Sequence, residues 1–345
     1  MGRVIVGELN ARRRAVLAIV VQEYIESAQP VGSRTVVEGY GLTVSSATIR
    51  NEMKALEERG YLTHPHTSAG RIPTDEGYRY FVEHLLPDGS LSEDDQLMIQ
   101  HQFHQVGLEA DQWAQLSAAV LAHTANMAAL ATPVRASQVR FKHIELVEVR
   151  QGLILLVLVL HQGIVKQQML SVDGEVSQEE LSRVSNQLNH LLAAKTGAEV
   201  AAESGELSDF GLRVIEVVQT IIERESRAST EHVYREGLSY ILMQPEFAST
   251  EDAQQLVTVL EQPPLFSSVF EDVRQQDGVQ ILIGGDRAVE PLRDISLVLS
   301  PYGISSQATG VLGILGPIRM PYNRAIPLVR FVARVMSELV QDWYG

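Results

Sequence analysis

Cysteine is missing from this chain of 345 residues. Its absence excludes disulfides, thiolate nucleophiles and cysteine-held metal centres, and it suits a reducing compartment. Aromatic residues are sparse at 6%, with 2 tryptophans, so any core must be built mainly from aliphatic side chains. No uncharged apolar run reaches the ~18 residues that a membrane span needs. The longest, residues 153–160, has the length of a strand. The N-terminus lacks the basic start, apolar middle and small-residue cleavage site of a secretory leader, so a cytoplasmic protein is expected. Catalytic motifs are also missing. There is no Gly-x-Ser-x-Gly elbow and no His-Glu-x-x-His pair, and Ile283-Gly284-Gly285-Asp286 lacks the Gly-Lys-Ser context of a phosphate loop. The glycine-dense run from Gly310 to Gly316 does not open a helix in the dinucleotide-binding manner. His64 and His66 lack further ligands, and His101 with His104 lacks a completing carboxylate motif, so no metal site is expected. Neither an enzyme nor a cofactor is indicated.

What the chain has in excess is acid: 43 Asp and Glu against 28 Lys and Arg, for a net −15. Such a balance opposes nucleic-acid binding, which normally presents a basic face. The charge is unevenly spread, however. Residues 1–86 hold 10 basic and 10 acidic side chains, and the remainder holds 18 and 33. The N-terminal quarter is therefore neutral, and Arg12, Arg13, Arg14, Arg34, Arg50, Lys54 and Arg71 are its candidates for phosphate contact.

That quarter also carries the most regular pattern. Residues 9–27 space Val16, Leu17, Val20, Val21, Tyr24 and Ile25 as one buried helix face. Gly32 and Ser33 provide a turn and an N-cap for a second helix to about residue 40. After Gly41-Leu42-Thr43-Val44, Ser45 or Ser46 caps a third helix. Its Ile49, Met53 and Leu56 recur at i, i+4 and i+7 and should face the core, which leaves Arg50, Asn51 and Lys54 outward. Gly60 suits a left-handed C-cap. Residues 61–74 then read as a hairpin with a tip at Ser68-Ala69-Gly70. Helix, turn, helix and hairpin is the order of a winged helix-turn-helix, whose second motif helix enters the major groove. Arginine matches guanine, asparagine matches adenine, and serine or threonine bonds base edges or phosphates. The candidate DNA-binding residues are Ser33, Arg34, Thr35, Ser45, Ser46, Thr48, Arg50, Asn51, Lys54, His66, Thr67, Ser68 and Arg71. Arg50 and Asn51 are assigned to base edges. Ser33, Arg34, Thr35, Lys54 and Arg71 are assigned mainly to phosphates.

Thr74, with Asp75 and Glu76 behind it, opens a fourth helix to residue 86. Pro87-Asp88-Gly89-Ser90 breaks that helix and marks a domain boundary. Helices are expected at 91–104 and 109–131, and strands at 143–149, 153–160 and 164–170. A helical stretch follows from 177 to about 243, then strands at 279–283, 295–300 and 310–318, and a last helix from about 322 to 340. Strands, then helices, then strands fit one sheet interrupted by an insertion, or two consecutive α+β domains.

Several strings are also familiar as strings. Pro30-Val31-Gly32-Ser33-Arg34-Thr35, Ser46-Ala47-Thr48-Ile49-Arg50-Asn51-Glu52-Met53, Gly60-Tyr61-Leu62 and Pro65-His66-Thr67-Ser68-Ala69-Gly70-Arg71 resemble the N-terminal signature of the bacterial heat-inducible transcription repressor family HrcA. Ser300-Pro301-Tyr302-Gly303 and Gly310-Val311-Leu312-Gly313-Ile314-Leu315-Gly316-Pro317-Ile318-Arg319-Met320 resemble that family's C-terminal block. The resemblance implies an α+β chain: a winged helix at 1–88, linker helices and the first part of a GAF-like domain at 89–171, an inserted dimerisation domain at 172–250, and the rest of the GAF-like domain at 251–345. It implies a dimeric repressor of chaperone operons on an inverted-repeat operator of the CIRCE type, with the GroE chaperonin and heat as modulators. Within the insertion, Val214, Val217, Val218, Ile221 and Ile222 form an apolar helix stripe. The stripe is assigned to the dimer contact, the competing reading being that it packs inside its own monomer. Two other functions stay open: a repressor whose GAF-like domain senses a small ligand, and an interaction protein whose acidic body docks on a chaperone.

Overall fold

The computed structural model describes residues 9–344 except 42, 66–69, 88, 106–109, 137–138, 162–163, 173–175, 204–206, 229–232, 262, 285–292 and 306–307. The chain is a mixed α+β protein that forms two compact units. One consists of Arg135–His232 with Ile304–Thr309, and the other holds the remainder.

The larger unit opens with α1 (Ala11–Ser27), capped by the Asn10 side chain, which accepts from the Arg13 amide at 2.9 Å. α2 (Ser33–Gly39) has Gly32 as its N-cap and no side-chain cap bond, so Ser33 is already helical. α3 (Ser46–Glu58) is capped by Ser45, whose Oγ accepts from the Thr48 amide at 3.2 Å, and it buries Ile49, Met53 and Leu56. Gly60 turns the chain with φ +81. β1 (Leu62–Thr63) and β2 (Ile72–Pro73) pair antiparallel, Leu62 opposite Pro73. α4 (Asp75–His84) starts at Thr74, whose hydroxyl accepts from the Gly77 amide and donates to the Gly60 carbonyl. Gly77 is needed here, because a Cβ would collide with the Tyr61 carbonyl.

α5 (Glu93–His104) and α6 (Ala110–Ala125) follow. The helix expected to continue to residue 131 instead stops at Asn126, which sits at φ 52, and β3 (Ala128–Ala131) is a fully buried strand. Small side chains suit this strand because both of its faces are covered, by α6 and by the core that later helices complete.

The smaller unit begins with β4 (Arg135–Ala136) and continues as a three-stranded antiparallel sheet: β5 (Phe141–Arg150), β6 (Leu153–Leu160) and β7 (Val165–Ser171), in that order. α7 (Gln178–Leu192), α8 (Gly197–Ala201) and α9 (Asp209–Ala228) come next. Alternation along β6 sends Ile154, Leu156, Leu158 and Leu160 into one core with Phe141, Ile144 and Leu146 of β5, Leu181, Val184, Leu188 and Leu192 of α7, and Val214, Val218, Ile221 and Ile222 of α9. Two expectations are corrected by that core. A border at 171/172 would cut it in half, since these strands and helices cover one another's apolar faces. The stripe assigned to the dimer is interior: Val214, Val218, Ile221 and Ile222 are buried, and Val217 is packed against them. Side chains already covered within their own chain have no surface to offer a second copy.

The chain then returns to the larger unit. β8 (Tyr234–Glu236), unexpected inside a helical stretch, pairs with β3. α10 (Leu238–Leu242), a 3₁₀ turn (Pro245–Phe247), α11 (Thr250–Glu261) and α12 (Pro263–Arg274) lead to β9 (Gln280–Ile283), β10 (Ile295–Ile304), β11 (Ala308–Pro317) and α13 (Tyr322–Tyr344). The sheet runs β8-β3-β11-β10-β9. Ile295, Leu297 and Leu299 meet Phe266, Val269 and Phe270 of α12 on one face. On the other, Ser296 accepts from the Tyr322 hydroxyl at 2.9 Å and α6 packs on β3.

Truncating the α9 stripe tests its interior position. Ile222→Ala should cost about 2–5 kcal/mol in chemical denaturation and leave native sedimentation unchanged. Unchanged stability with slower sedimentation would return the stripe to an intermolecular surface.

Candidate nucleic-acid interface

α3 divides its residues cleanly. Ile49, Met53 and Leu56 are buried, whereas Arg50, Asn51 and Lys54 are exposed on the rest of the cylinder. Arg50 has no ion-pair partner among the described residues, and Lys54 is 3.9 Å from Glu58, four residues on. A surface pair at that separation holds a lysine only weakly. At the amino end, Ser46 and Thr48 are half-buried, and the Ser45 hydroxyl is occupied as the cap, 3.0 Å from the Thr48 hydroxyl. On α2, Arg34 and Thr35 are exposed and Ser33 is half-buried. Two exposed donors of different chemistry, a guanidinium and a carboxamide, stand on adjacent positions of a helix with a buried back. That arrangement can place both against an adjoining pair of acceptor groups.

Three of the expected cations are otherwise engaged. Arg13 Nε lies 2.8 Å from Glu52, and Arg12 approaches the same carboxylate at 3.8 Å, which braces α1 against α3. Arg71 donates to Glu57 at 2.8 Å, and the other oxygen of Glu57 meets His64. Backbone bonds of 2.9 Å in both directions also join Arg71 to Val31. Arg71 is thus a strut between the strand pair, α3 and the start of α2. Gly70 permits this closeness, since a Cβ there would fall 2.5 Å from the Val31 carbonyl. His66, Thr67 and Ser68 lie outside the described residues.

Glu52 and Glu57 escaped sequence reasoning because an exposed-looking helical glutamate carries no local mark of its partner. Arg319 escaped it for a stronger reason. It follows β11, yet it donates from Nη1 to the Ile25 carbonyl at the end of α1 (3.1 Å), from Nη2 to Gln244 (2.8 Å), and from Nη2 and Nε to Glu246. Nearby, burial and the charge of Glu246 hold the Tyr24 hydroxyl above its ordinary value, with Arg319 opposing. Burial, then Tyr322 and Tyr24, push Tyr78 up strongly. Both phenols therefore stay neutral. The histidines of α5 are bonded locally, His104 to the Gln100 carbonyl and His101 to Gln105. Among the described residues, no helix is long and apolar enough to cross a membrane.

With this geometry in view, the relatives are informative. A family model described as HrcA protein C terminal domain matches residues 111–326. Proteins named heat-inducible transcription repressor HrcA align over nearly the whole chain. The one from Herpetosiphon aurantiacus is 47% identical, covering 98% of this chain and 97% of that protein. The one from a Roseiflexus species is 43% identical over 98% and 96%, and that of Thermomicrobium roseum 40% identical over 98% and 97%. A solved structure described only as a hypothetical protein at 2.2 Å resolution superposes with a TM-score of 0.58 at 25% identity, covering 97% of this chain and 98% of that one.

The Glu57 strut yields a direct test. Glu57→Ala removes a charge-assisted partner from Arg71, and stability should fall by about 1–3 kcal/mol in chemical denaturation. Hydrogen exchange at the Val31 and Arg71 amides should accelerate. Unchanged exchange and stability would mean that the pair holds nothing.

Proposed function

This chain belongs to the HrcA family of heat-inducible transcription repressors, and from that membership we propose that it represses chaperone operons by setting α3 in the major groove of an inverted-repeat operator. The first three helices and the β1–β2 pair serve as a winged helix-turn-helix, and the five-strand order with helices on both faces serves as a GAF-like body. The observation that carries the reading is α3 itself: it is capped, buried along Ile49, Met53 and Leu56, and open along Arg50, Asn51 and Lys54. Arg50 and Asn51 address base edges; Arg34, Thr35 and Lys54 address phosphates. Catalysis has no part in this function.

A reading head without net charge binds weakly alone, so two heads act together as a homodimer on a two-fold operator. Support for the contact lies in the smaller unit, on the sheet face turned away from its helices. The strand register sets Val147, Leu155 and Met169 in one row and His143, Val159 and Val165 in another. Val149 and Val165 are 53% and 54% exposed. His143, Glu145 and Gln167 share this face with the aliphatic side chains, and a two-fold axis can set such a mixed surface against its own copy.

Heat and the GroE chaperonin act as the switch through the stability of the fold. Among the described residues, Arg274 Nε and Nη2, Arg71 Nε and the Tyr78 hydroxyl are buried without a hydrogen-bond partner. Each carries an uncompensated desolvation cost of about 1–3 kcal/mol. A loss of ~1–2 kcal/mol changes the functional population of a folded protein several-fold.

Arg50→Ala should weaken operator binding by about 1–3 kcal/mol and relax preference at one base pair. Lys54→Ala should weaken all sequences alike and lower the salt slope by about one. Quantitative footprinting at several salt concentrations checks both, and an Arg50→Ala protein that bound like the parent would remove α3 from the groove. Operator binding by the purified protein should also vanish over a narrow temperature range and return in part with chaperonin and ATP. Binding that stays level through heating would refute the stability switch.

A further inference from the structure

Within the larger unit, α5 and α6 leave a cleft of about 730 Å³ between them, within the range of small-molecule sites. α5 lines it with Asp95, Met98, Gln102 and Gln105, spaced as one helix face. α6 lines it with Leu116, Ala119, Val120 and His123, again one face, and Arg324 in the first turn of α13 adds a cation. A short connection makes α5 and α6 antiparallel neighbours, so the end of α6 lies beside the start of α5. The start of α13 lies there too, since a Cβ on Gly89, just before α5, would fall 3.0 Å from the Asn323 carbonyl. The cleft therefore has a charged end, with Asp95, His123 and Arg324, and an apolar floor that leads away from it along Met98, Ala119, Val120 and Leu116.

The groups at the charged end are open to a ligand. Asp95 is half-buried and Arg324 exposed, and neither has an ion-pair partner among the described residues. Opposite charges thus line one cleft without closing on each other. His123 is fixed in place: its Nδ1 is 2.8 Å from the Tyr240 hydroxyl, and the two rings meet edge-on at 5.8 Å. Nε2 is the ring nitrogen left to donate to an anionic oxygen. Beside these groups Met98 is 45% exposed, a flexible apolar side chain suited to cover a ligand's body.

We propose that this cleft binds a zwitterion, an α-amino acid with a large apolar side chain. Its ammonium takes Asp95 and the carbonyl end of α6, and its carboxylate takes Arg324 and His123 Nε2. Its side chain lies on Met98, Ala119 and Val120. A simple amine leaves Arg324 unmet, and a simple carboxylate leaves Asp95 unmet. Both are therefore poorer ligands than the molecule that carries the two charges on one carbon. A ligand that bridges α5, α6 and α13 also stabilises the folded unit by mass action.

Phenylalanine, phenethylamine and hydrocinnamate share one aromatic body and differ in charge. Each is titrated into the full-length protein by calorimetry and by NMR of methyl-labelled methionine. Phenylalanine should bind, move the Met98 methyl signal and raise the melting temperature. The other two should bind about tenfold more weakly, the scale of a hydrogen bond to a charged group. Asp95→Asn and Arg324→Gln change side chains outside the apolar cores. Asp95→Asn should weaken phenylalanine about tenfold and leave hydrocinnamate unchanged. Arg324→Gln should weaken phenylalanine by a similar factor and leave phenethylamine unchanged. Equal binding of the three probes, no binding of phenylalanine, or losses that do not follow the missing charge overturn the site.

Discussion

Arg319 sits at a junction where a fold of this kind has few other options. Its side chain is 12% exposed, so a charge held there needs partners for every donor direction. It finds them on two separate stretches of chain, the Gln244–Glu246 segment and the Ile25 carbonyl in the last turn of α1. That carbonyl belongs to the last turn, where a helix leaves its final acceptors without intrahelical partners. A guanidinium suits the task as an ammonium would not, since its planar fork serves a carboxylate with two nitrogens and still has a third for the backbone. The first helices are thus seated on the body in part by directional polar bonds. Such bonds hold one orientation tightly and tolerate little sliding, whereas an apolar contact would tolerate more.

The same economy explains the neutrality of the N-terminal quarter. Glu52 and Glu57 are internal fasteners that hold Arg12, Arg13, His64 and Arg71 in place. Acid and base in equal number therefore leave a small set of outward cations on α2 and α3 rather than a broad basic surface. Non-specific attraction to phosphates grows with the number of cations presented, so a segment this sparsely charged gains little from charge alone.

Much of this head was legible from residue order alone. Capping serines and threonines, glycine stops and i, i+4, i+7 spacing are local signals, and α1, α3 and α4 form within a few residues of where those signals put them. The failures share a different cause. The alanines of β3 read as helix because alanine favours helices in isolation; pairing between β8 and β11 overrides that preference. β8 is three residues long and polar, with nothing in its composition to separate it from the helices around it. The α9 stripe was correctly seen as apolar, but periodicity reports only that a face is covered, not whether its own chain or another covers it. The partners of Arg13, Arg71 and Arg319 are set by tertiary approach across 39, 14 and 73 residues of sequence, beyond the reach of any window.

One edge of the small sheet has a consequence for a protein that works among unfolding neighbours. β5 has β6 on one side only, and its outer backbone groups are met by side chains of α7. The Asn189 amide serves both the N–H and the C=O of Ile144, Ser185 accepts from Leu146, and Gln178 bridges the Leu146 carbonyl and the Glu148 amide. These side chains imitate a further strand and occupy the ladder positions that a stray peptide would need. During heat stress the surroundings fill with extended, hydrogen-bond-hungry segments, and this margin of the molecule is closed to their accretion. Templated aggregation would have to begin at β7 or not on this sheet at all.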